Sequence, residues 1–130
     1  MLLGIDPGTR KCGYAVVERI GAPPLALGIV PLDDFGTRLA ALRGDWAIDM
    51  VAVGQGTNAS AVTAVVREAG LPFALVDERE TTLQARARYF VDYPPRGWRR
   101  FAPRGMLLPP RPIDDYAALL IAERYLRRES

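Results

Sequence analysis

Short hydrophobic runs separated by turns fill the first part of the chain. Pro7-Gly8 is a strong turn signal, and Gly13 adds a second break. This spacing predicts three consecutive strands joined by short connections, which is typical of an antiparallel meander. The predicted strands are Leu2–Ile5, Tyr14–Val17 and Leu25–Val30.

Beyond this meander, strand-like runs alternate with segments whose apolar residues recur at helical spacing. Two further strands are predicted at Ile48–Val53 and Phe73–Val76. The predicted helices run from Asp33 or Asp34 to about Arg43, from an N-cap at Asn58 to Gly70, from a capping box at Thr81 to about Val91, and from Ile113 to Arg128. This order predicts an α/β fold, in which a five-stranded mixed sheet (three antiparallel strands, then βα units) is flanked by α-helices.

The composition narrows the available chemistry. The chain has 130 residues, 49% of them hydrophobic and 25% charged, which suits a single globular domain over 1–130. No apolar run reaches the ~20 residues of a membrane span and the start lacks a secretory signal, so we expect a cytoplasmic protein without a membrane partner. With one cysteine and no histidine, internal disulfides, cysteine cages for metals and histidine-based catalysis are excluded. Any catalyst must use carboxylates, hydroxyls, lysine or a metal.

Three acidic residues occupy positions where active sites form in α/β sheets. Asp6 ends the first strand, Glu78 follows the fifth strand, and Asp114 lies in the first turn of the last helix. Converging carboxylates repel one another, and their oxygens select hard cations such as Mg²⁺ or Mn²⁺. Two such ions about 4 Å apart can activate water and stabilise the leaving oxygen in phosphodiester hydrolysis. Each acid also has a simpler interpretation: a turn residue, a solvated loop acid and a helix N-terminal charge, respectively.

The chain is mildly basic, with a net charge of +2 and a pI near 9.0, which is compatible with a nucleic-acid partner. The Pro-, Gly- and Arg-rich segment Asp92–Pro112 is longer than ordinary connections. Its arginines can neutralise phosphates while its aromatic residues stack on bases; the alternative is a solvated connection with its aromatics on the core. The residues predicted to bind nucleic acid are Arg10, Lys11, Arg79, Arg96, Trp98, Arg99, Arg100 and Arg104.

Three motifs together resemble those of a known family. Gly4–Thr9 resembles the opening strand of RNase H-like nucleases. Asp77–Thr82 resembles the Asp-Glu-Arg-x-(Ser/Thr)-Thr motif of the YqgF (RuvX) family, and Ile113–Ala118 resembles the closing helix of the same family. The opening motif also resembles the phosphate-binding hairpin of actin-like ATPases, which need two such domains and therefore a longer chain. The YqgF resemblance implies an RNase H-like fold and a metal-dependent nuclease that processes the 5' end of pre-16S rRNA, related to Holliday junction resolvases. The catalytic and metal-binding residues that it implies are Asp6, Glu78 and Asp114.

Departures from the YqgF pattern bear on the substrate. The fourth strand ends in Gly54-Gln55-Gly56 where the family usually has Gly-Leu-Pro, and the Arg-rich segment replaces a short Gly-Lys segment. RuvC resolvases carry an acid after this strand, so Gln55 favours YqgF. Two alternatives stay open: a RuvC-like resolvase of branched DNA, which would need to be a dimer, and a nucleic-acid-binding module without catalysis. Also open are the choice between monomer and homodimer, and whether Asp115 or Asp77 shares the metal site.

Overall fold

The computed structural model describes residues 1–56, 58–79, 81–95, 97 and 108–129. The strands in these ranges are β1 (Leu2–Pro7), β2 (Lys11–Val17), β3 (Ala26–Pro31), β4 (Met50–Gly54) and β5 (Phe73–Val76). The α-helices are α1 (Phe35–Asp45), α2 (Ala59–Glu68), α3 (Thr81–Asp92) and α4 (Asp114–Glu129), and a short 3₁₀ turn at Leu32–Asp34 precedes α1. The predicted order of strands and helices is confirmed. None of the helices in the described ranges is long and apolar enough to cross a membrane.

The strands form a mixed sheet in the order β3-β2-β1-β4-β5. β1, β2 and β3 pair antiparallel, whereas β4 pairs parallel with both β1 and β5. This is the predicted combination of an antiparallel meander and βα units, since parallel neighbours require the longer helical crossovers. β4 begins at Met50 rather than at Ile48.

Gly13 lies inside a strand, so the predicted break at this position is wrong. β2 begins at Lys11 rather than at Tyr14. Gly13 pairs with Asp6 in β1 and with Ile29 in β3, and these pairings extend the sheet to the level of the acidic residue. A glycine inside a strand often marks the close approach of another backbone, and the contact of Gly13 with α4, described below, is of this kind.

The helix starts differ in detail from their capping signals. α2 does follow Asn58, but the side chain of Asn58 makes no capping hydrogen bond. Thr81 is the first helical residue of α3 rather than its N-cap, and its hydroxyl donates to the carbonyl oxygen of Glu78 at 2.6 Å. This hydrogen bond ties the start of α3 to the loop that follows β5.

Helices cover both faces of the sheet. α1 and α2 pack on one face, where Leu3 and Ile5 are buried, and α3 and α4 pack on the other face, against Leu2. Because side chains alternate along a strand, Asp6 lies on the same face as Leu2, which is the face covered by α4. α4 is buried throughout Asp115–Glu123 because it lies between the sheet and α3.

The close approach of α4 to the sheet depends on a glycine in β1. A Cβ atom at Gly4 would lie 2.4 Å from the carbonyl oxygen of Ala118 and 2.8 Å from the Cβ atom of Ala122. Only a residue without a side chain fits between the two elements. Gly4 therefore sets how near the helix carrying Asp114 lies to the strand carrying Asp6.

Candidate active site

The sheet and α4 bring Asp6 and Asp114 together over Gly13. Asp6 pairs with Gly13 across β1 and β2, and a Cβ atom at Gly13 would lie only 2.0 Å from the backbone carbonyl oxygen of Asp114. The first turn of α4 therefore lies directly on Gly13, beside Asp6. Lys11, on the same strand as Gly13, forms an ion pair with Asp114, its Nζ being 3.6 Å from Oδ2.

Two glycines leave room for the carboxylate of Glu78. Glu78 follows β5, and its Oε2 would lie 2.6 Å from a Cβ atom at Gly54, while its Oε1 would lie 2.5 Å from one at Gly56. The Cβ atom at Gly54 would also lie 3.3 Å from Cδ of Pro7, the residue after Asp6. The absence of side chains at the end of β4 thus lets Glu78 reach toward the end of β1.

Two of the acids predicted from the sequence, Asp114 and Glu78, act electrostatically on the third, Asp6. The pKa of Asp6 rises from its usual 3.8 to about 7, first because the carboxyl is buried and then because of the negative charges of Asp114 and Glu78. Burial, followed by the negative charge of Asp77, also raises the pKa of Glu78. An ionised Asp6 is therefore unfavourable at this position unless a cation compensates its charge.

The two neighbouring acids whose role the sequence left open are engaged elsewhere. Asp115 is buried, and both of its carboxylate oxygens accept hydrogen bonds of 3.3 Å from Arg111. Asp77 is exposed and accepts hydrogen bonds from the backbone N–H and the Nε of Arg79, at 2.9 and 2.7 Å. These bonds lower the pKa of Asp77. Both carboxylates thus have arginine partners of their own.

The donors at this site are carboxylate oxygens, which suit hard divalent cations rather than soft metals. As placed, no group of three or more acidic or cysteine side chains within the described ranges could hold a metal ion. The donor chemistry of the carboxylates fits Mg²⁺ or Mn²⁺, although their positions in the metal-free protein do not form a coordination sphere. Cys12 supplies no thiolate at neutral pH, because burial and the charges of Asp6 and Asp114 raise the pKa of its thiol to about 11.

Of the residues predicted to bind nucleic acid, the structure describes Arg10, Lys11 and Arg79. Arg10 is exposed in the turn between β1 and β2, and Lys11 is the ion-pair partner of Asp114. Arg79 is exposed next to Glu78, with its Nε bonded to Asp77. The remaining predicted residues lie outside the described ranges; they are Arg96, Trp98, Arg99, Arg100 and Arg104.

The glycines that shape this site were not predicted from the sequence. A lone glycine after a hydrophobic run normally indicates a turn, and nothing in the local pattern reveals that a carboxylate from a distant segment fills the space above it. One signal was available: Gly54 and Gly56 alternate directly after a buried strand, a spacing that suits the close approach of another group.

Solved structures of RuvC share this fold. Thermus thermophilus RuvC matches with a TM-score of 0.58 at 23% sequence identity, and the match covers 95% of this chain and 90% of RuvC. T. thermophilus RuvC in complex with a Holliday junction substrate matches with the same TM-score of 0.58 at 20% identity, covering 98% and 94% of the two chains. These matches confirm the predicted RNase H-like fold.

Relatives of known sequence identify the family, although no family model matches the chain. A protein of Streptococcus mutans serotype c named "Putative pre-16S rRNA nuclease" is 31% identical over 146 residues, which cover 98% of this chain and 97% of the relative. A protein of the same name from Coxiella burnetii is 26% identical over 142 residues, which cover 98% and 92% of the two chains. Because these matches run almost from end to end in both proteins, the chain belongs to the YqgF family, whose members carry that name.

Proposed function

We propose that this protein is a metal-dependent nuclease that hydrolyses phosphodiester bonds at the 5' end of the precursor of 16S rRNA, a step of ribosome biogenesis in the cytoplasm. The observation that carries the proposal is that three separate elements bring Asp6, Glu78 and Asp114 toward one end of the sheet. The first turn of α4 lies on Gly13, which pairs with Asp6, and the carboxylate of Glu78 lies over Gly54, near Pro7. The charges of Asp114 and Glu78 also raise the pKa of Asp6. Gathering like charges at one partly buried position costs stability, and such clusters occur where function requires them. The names of the full-length relatives support the nuclease activity and the RNA substrate.

The carboxylates at the candidate site have the charge and the oxygen ligands that a divalent cation requires. Asp6, Glu78 and Asp114 would hold the ion, which supplies activation of water and stabilisation of the leaving oxygen. Ionisation of Asp6, which is unfavourable in the metal-free protein, becomes favourable with a cation beside it. In the metal-free protein, Lys11 offsets part of the negative charge of Asp114. The thiol of Cys12 stays protonated, so the carboxylates rather than a thiolate are the reactive groups.

A RuvC-like resolvase of branched DNA is the second candidate, because one of the solved structures with this fold is bound to a Holliday junction. The relatives favour RNA, since one of them is 31% identical almost end to end, whereas T. thermophilus RuvC is 23% identical. Resolving a junction needs two symmetric cuts and therefore a homodimer, whereas trimming a precursor needs a single site.

The Arg-rich segment is proposed to bind the nucleic acid, because it leads directly into α4 and Asp114. Replacing Arg99 and Arg100 together by alanine should weaken binding at low salt. It should also flatten the dependence of affinity on salt concentration by about 0.7 to 0.9 per lost phosphate contact on a logarithmic scale. Affinity measured by fluorescence anisotropy over a salt series checks this. Wild-type affinity with a wild-type slope would show that these two arginines contact no phosphate.

The proposed activity is tested by incubating the protein with two substrates, a 16S rRNA precursor and a four-way DNA junction. Each is assayed with Mn²⁺, with Mg²⁺ and with a chelator, and the wild type is compared with Asp6→Asn. We expect cleavage of the RNA precursor by the wild type with either metal, none with the chelator, and a near-complete loss in Asp6→Asn. Preferred cleavage of the junction would favour the resolvase, and binding without any cleavage would favour a non-catalytic module.

A further inference from the structure

We propose that Arg124 is a positioning residue that holds Glu78 at the candidate site, a role that rests on the function proposed above. Arg124 lies in α4, and its guanidinium reaches the loop after β5. Its Nη1 donates to the carbonyl oxygen of Asp77 at 2.7 Å, and its Nη2 donates to the carbonyl oxygen of Arg79. The guanidinium thus binds the backbone on either side of Glu78.

The remaining contacts of the loop fix the same stretch of backbone. The carbonyl oxygen of Glu78 accepts hydrogen bonds from the hydroxyl and the backbone N–H of Thr81, at 2.6 and 3.2 Å. Nη2 of Arg124 also donates to Oε1 of Gln84 at 3.3 Å, which anchors the guanidinium on α3. Three consecutive carbonyl groups, at 77, 78 and 79, are therefore held by side chains or by the start of α3. With both flanking peptide groups fixed, the side chain of Glu78 is directed over Gly54, which ends β4, and over Gly56, which follows it.

The position of Arg124 on α4 links Glu78 to a second acid of the site. Asp114 is the first residue of α4, and Arg124 lies ten residues later on the same helix, about 15 Å along its axis. A helix is a rigid element over this length, so α4 carries Asp114 directly and holds Glu78 through Arg124. The planar fork of arginine can bind two carbonyl groups at once, which the single ammonium of lysine does less well.

One turn further along, Arg128 makes a comparable bond that offers a matched control. Its Nη1 donates to the carbonyl oxygen of Leu75 in β5 at 3.1 Å. If Arg124 only fastened α4 to the edge of the sheet, loss of Arg128 would have the same consequences as loss of Arg124. If Arg124 positions Glu78, only its own loss should disturb the site.

The experiment compares Arg124→Met, Arg124→Lys and Arg128→Met with the wild type; methionine keeps an unbranched stem but removes the donors. The first readout is amide hydrogen exchange, measured with a chelator, at Arg79 and Thr81. Their N–H groups donate to Oδ1 of Asp77 and to the carbonyl oxygen of Glu78. The second readout is Mn²⁺ affinity without substrate, and the third is kcat and KM for the RNA precursor. Thermal melting confirms that each variant is folded.

We expect Arg124→Met to speed exchange at both amides at least about tenfold through local opening of the loop. It should weaken Mn²⁺ binding and lower kcat by about 10- to 100-fold, with KM for RNA nearly unchanged. Arg124→Lys should restore part of each property, and Arg128→Met should resemble the wild type. Wild-type exchange in a folded Arg124→Met, or equal effects of Arg124→Met and Arg128→Met, would overturn the proposal. A wild type that neither binds Mn²⁺ nor cleaves would refute the proposed function, while the exchange data would still decide whether Arg124 holds the loop.

Discussion

The substitution Asp6→Asn should stabilise the metal-free protein, and more so at higher pH. It removes one negative charge from the acidic cluster while keeping the shape of the side chain. In the folded protein the pKa of Asp6 is about 7, above the usual 3.8 that applies to the unfolded chain. Between these two pH values the folded state binds more protons than the unfolded state. The stability associated with this group is therefore fully present below about pH 4 and is lost as the pH rises through 7.

The magnitude of this effect follows from the difference between the two pKa values of Asp6. A rise from 3.8 to about 7 corresponds to about 4 kcal/mol of unfolding free energy in total. Of this total, about 2 to 3 kcal/mol of stability is lost between pH 5 and pH 8 in the wild type. The Asp6→Asn variant does not lose this stability, because asparagine does not ionise. For a domain of 130 residues such a difference corresponds to a change of roughly 7 to 11 °C in Tm.

The assay is urea or thermal unfolding of both proteins at about pH 5 and pH 8 with a chelator present. Asp33→Asn serves as the control for the loss of one acidic charge, because Asp33 is exposed in the 3₁₀ turn before α1. The gap in stability between Asp6→Asn and the wild type should widen toward pH 8. The reasoning is refuted if Asp6→Asn follows the wild type at both pH values, or if Asp33→Asn shows the same widening.

Two further substitutions separate the site from the fold. Gly56→Ala should lower cleavage at least about tenfold with little change in melting temperature, because its Cβ would lie 2.5 Å from Oε1 of Glu78 and would displace this movable carboxylate at an exposed position. The control Gly44→Ala, with nothing within 4 Å of its Cβ, should keep full activity. Arg88→Met should destabilise the protein by about 2 to 3 kcal/mol in urea unfolding, because it removes two 3.0 Å hydrogen bonds from buried Glu123. The double variant Arg88→Met/Glu123→Met should recover part of this lost stability. A wild-type free energy of unfolding in Arg88→Met would show that the ion pair does not stabilise the fold.

The order of elements could be predicted from the sequence because hydrophobic periodicity records which face of each strand or helix is buried. The positions of Asp6 and Glu78 at strand ends could be predicted for the same reason, since parallel strands end at one edge of the sheet. The three acids are therefore accessible from local patterns combined with the family resemblance. Their roles in catalysis and metal binding stay predictions.

The neighbours of these acids could not be predicted, because they depend on contacts between distant segments. Gly13 has the local features of a break, yet it lies in a strand, where the absence of a side chain leaves room for the backbone of Asp114. Asp115 follows Asp114 directly and looks equally available in the sequence, but helical geometry turns it toward Arg111. Arg124 carries no local signal at all, since its partners lie in a loop 45 and 47 residues away.

A Mn²⁺ titration followed by electron paramagnetic resonance, in which bound and free Mn²⁺ are distinguished, tests most directly whether the three carboxylates bind metal. We expect that the wild type binds Mn²⁺ and that Asp6→Asn, Glu78→Gln and Asp114→Asn each lower the affinity at least about tenfold, since each removes a ligand charge. Asp33→Asn should bind as the wild type does. Equal Mn²⁺ affinity in the wild type and in all three site variants would contradict the claim that these carboxylates form a metal-binding active site.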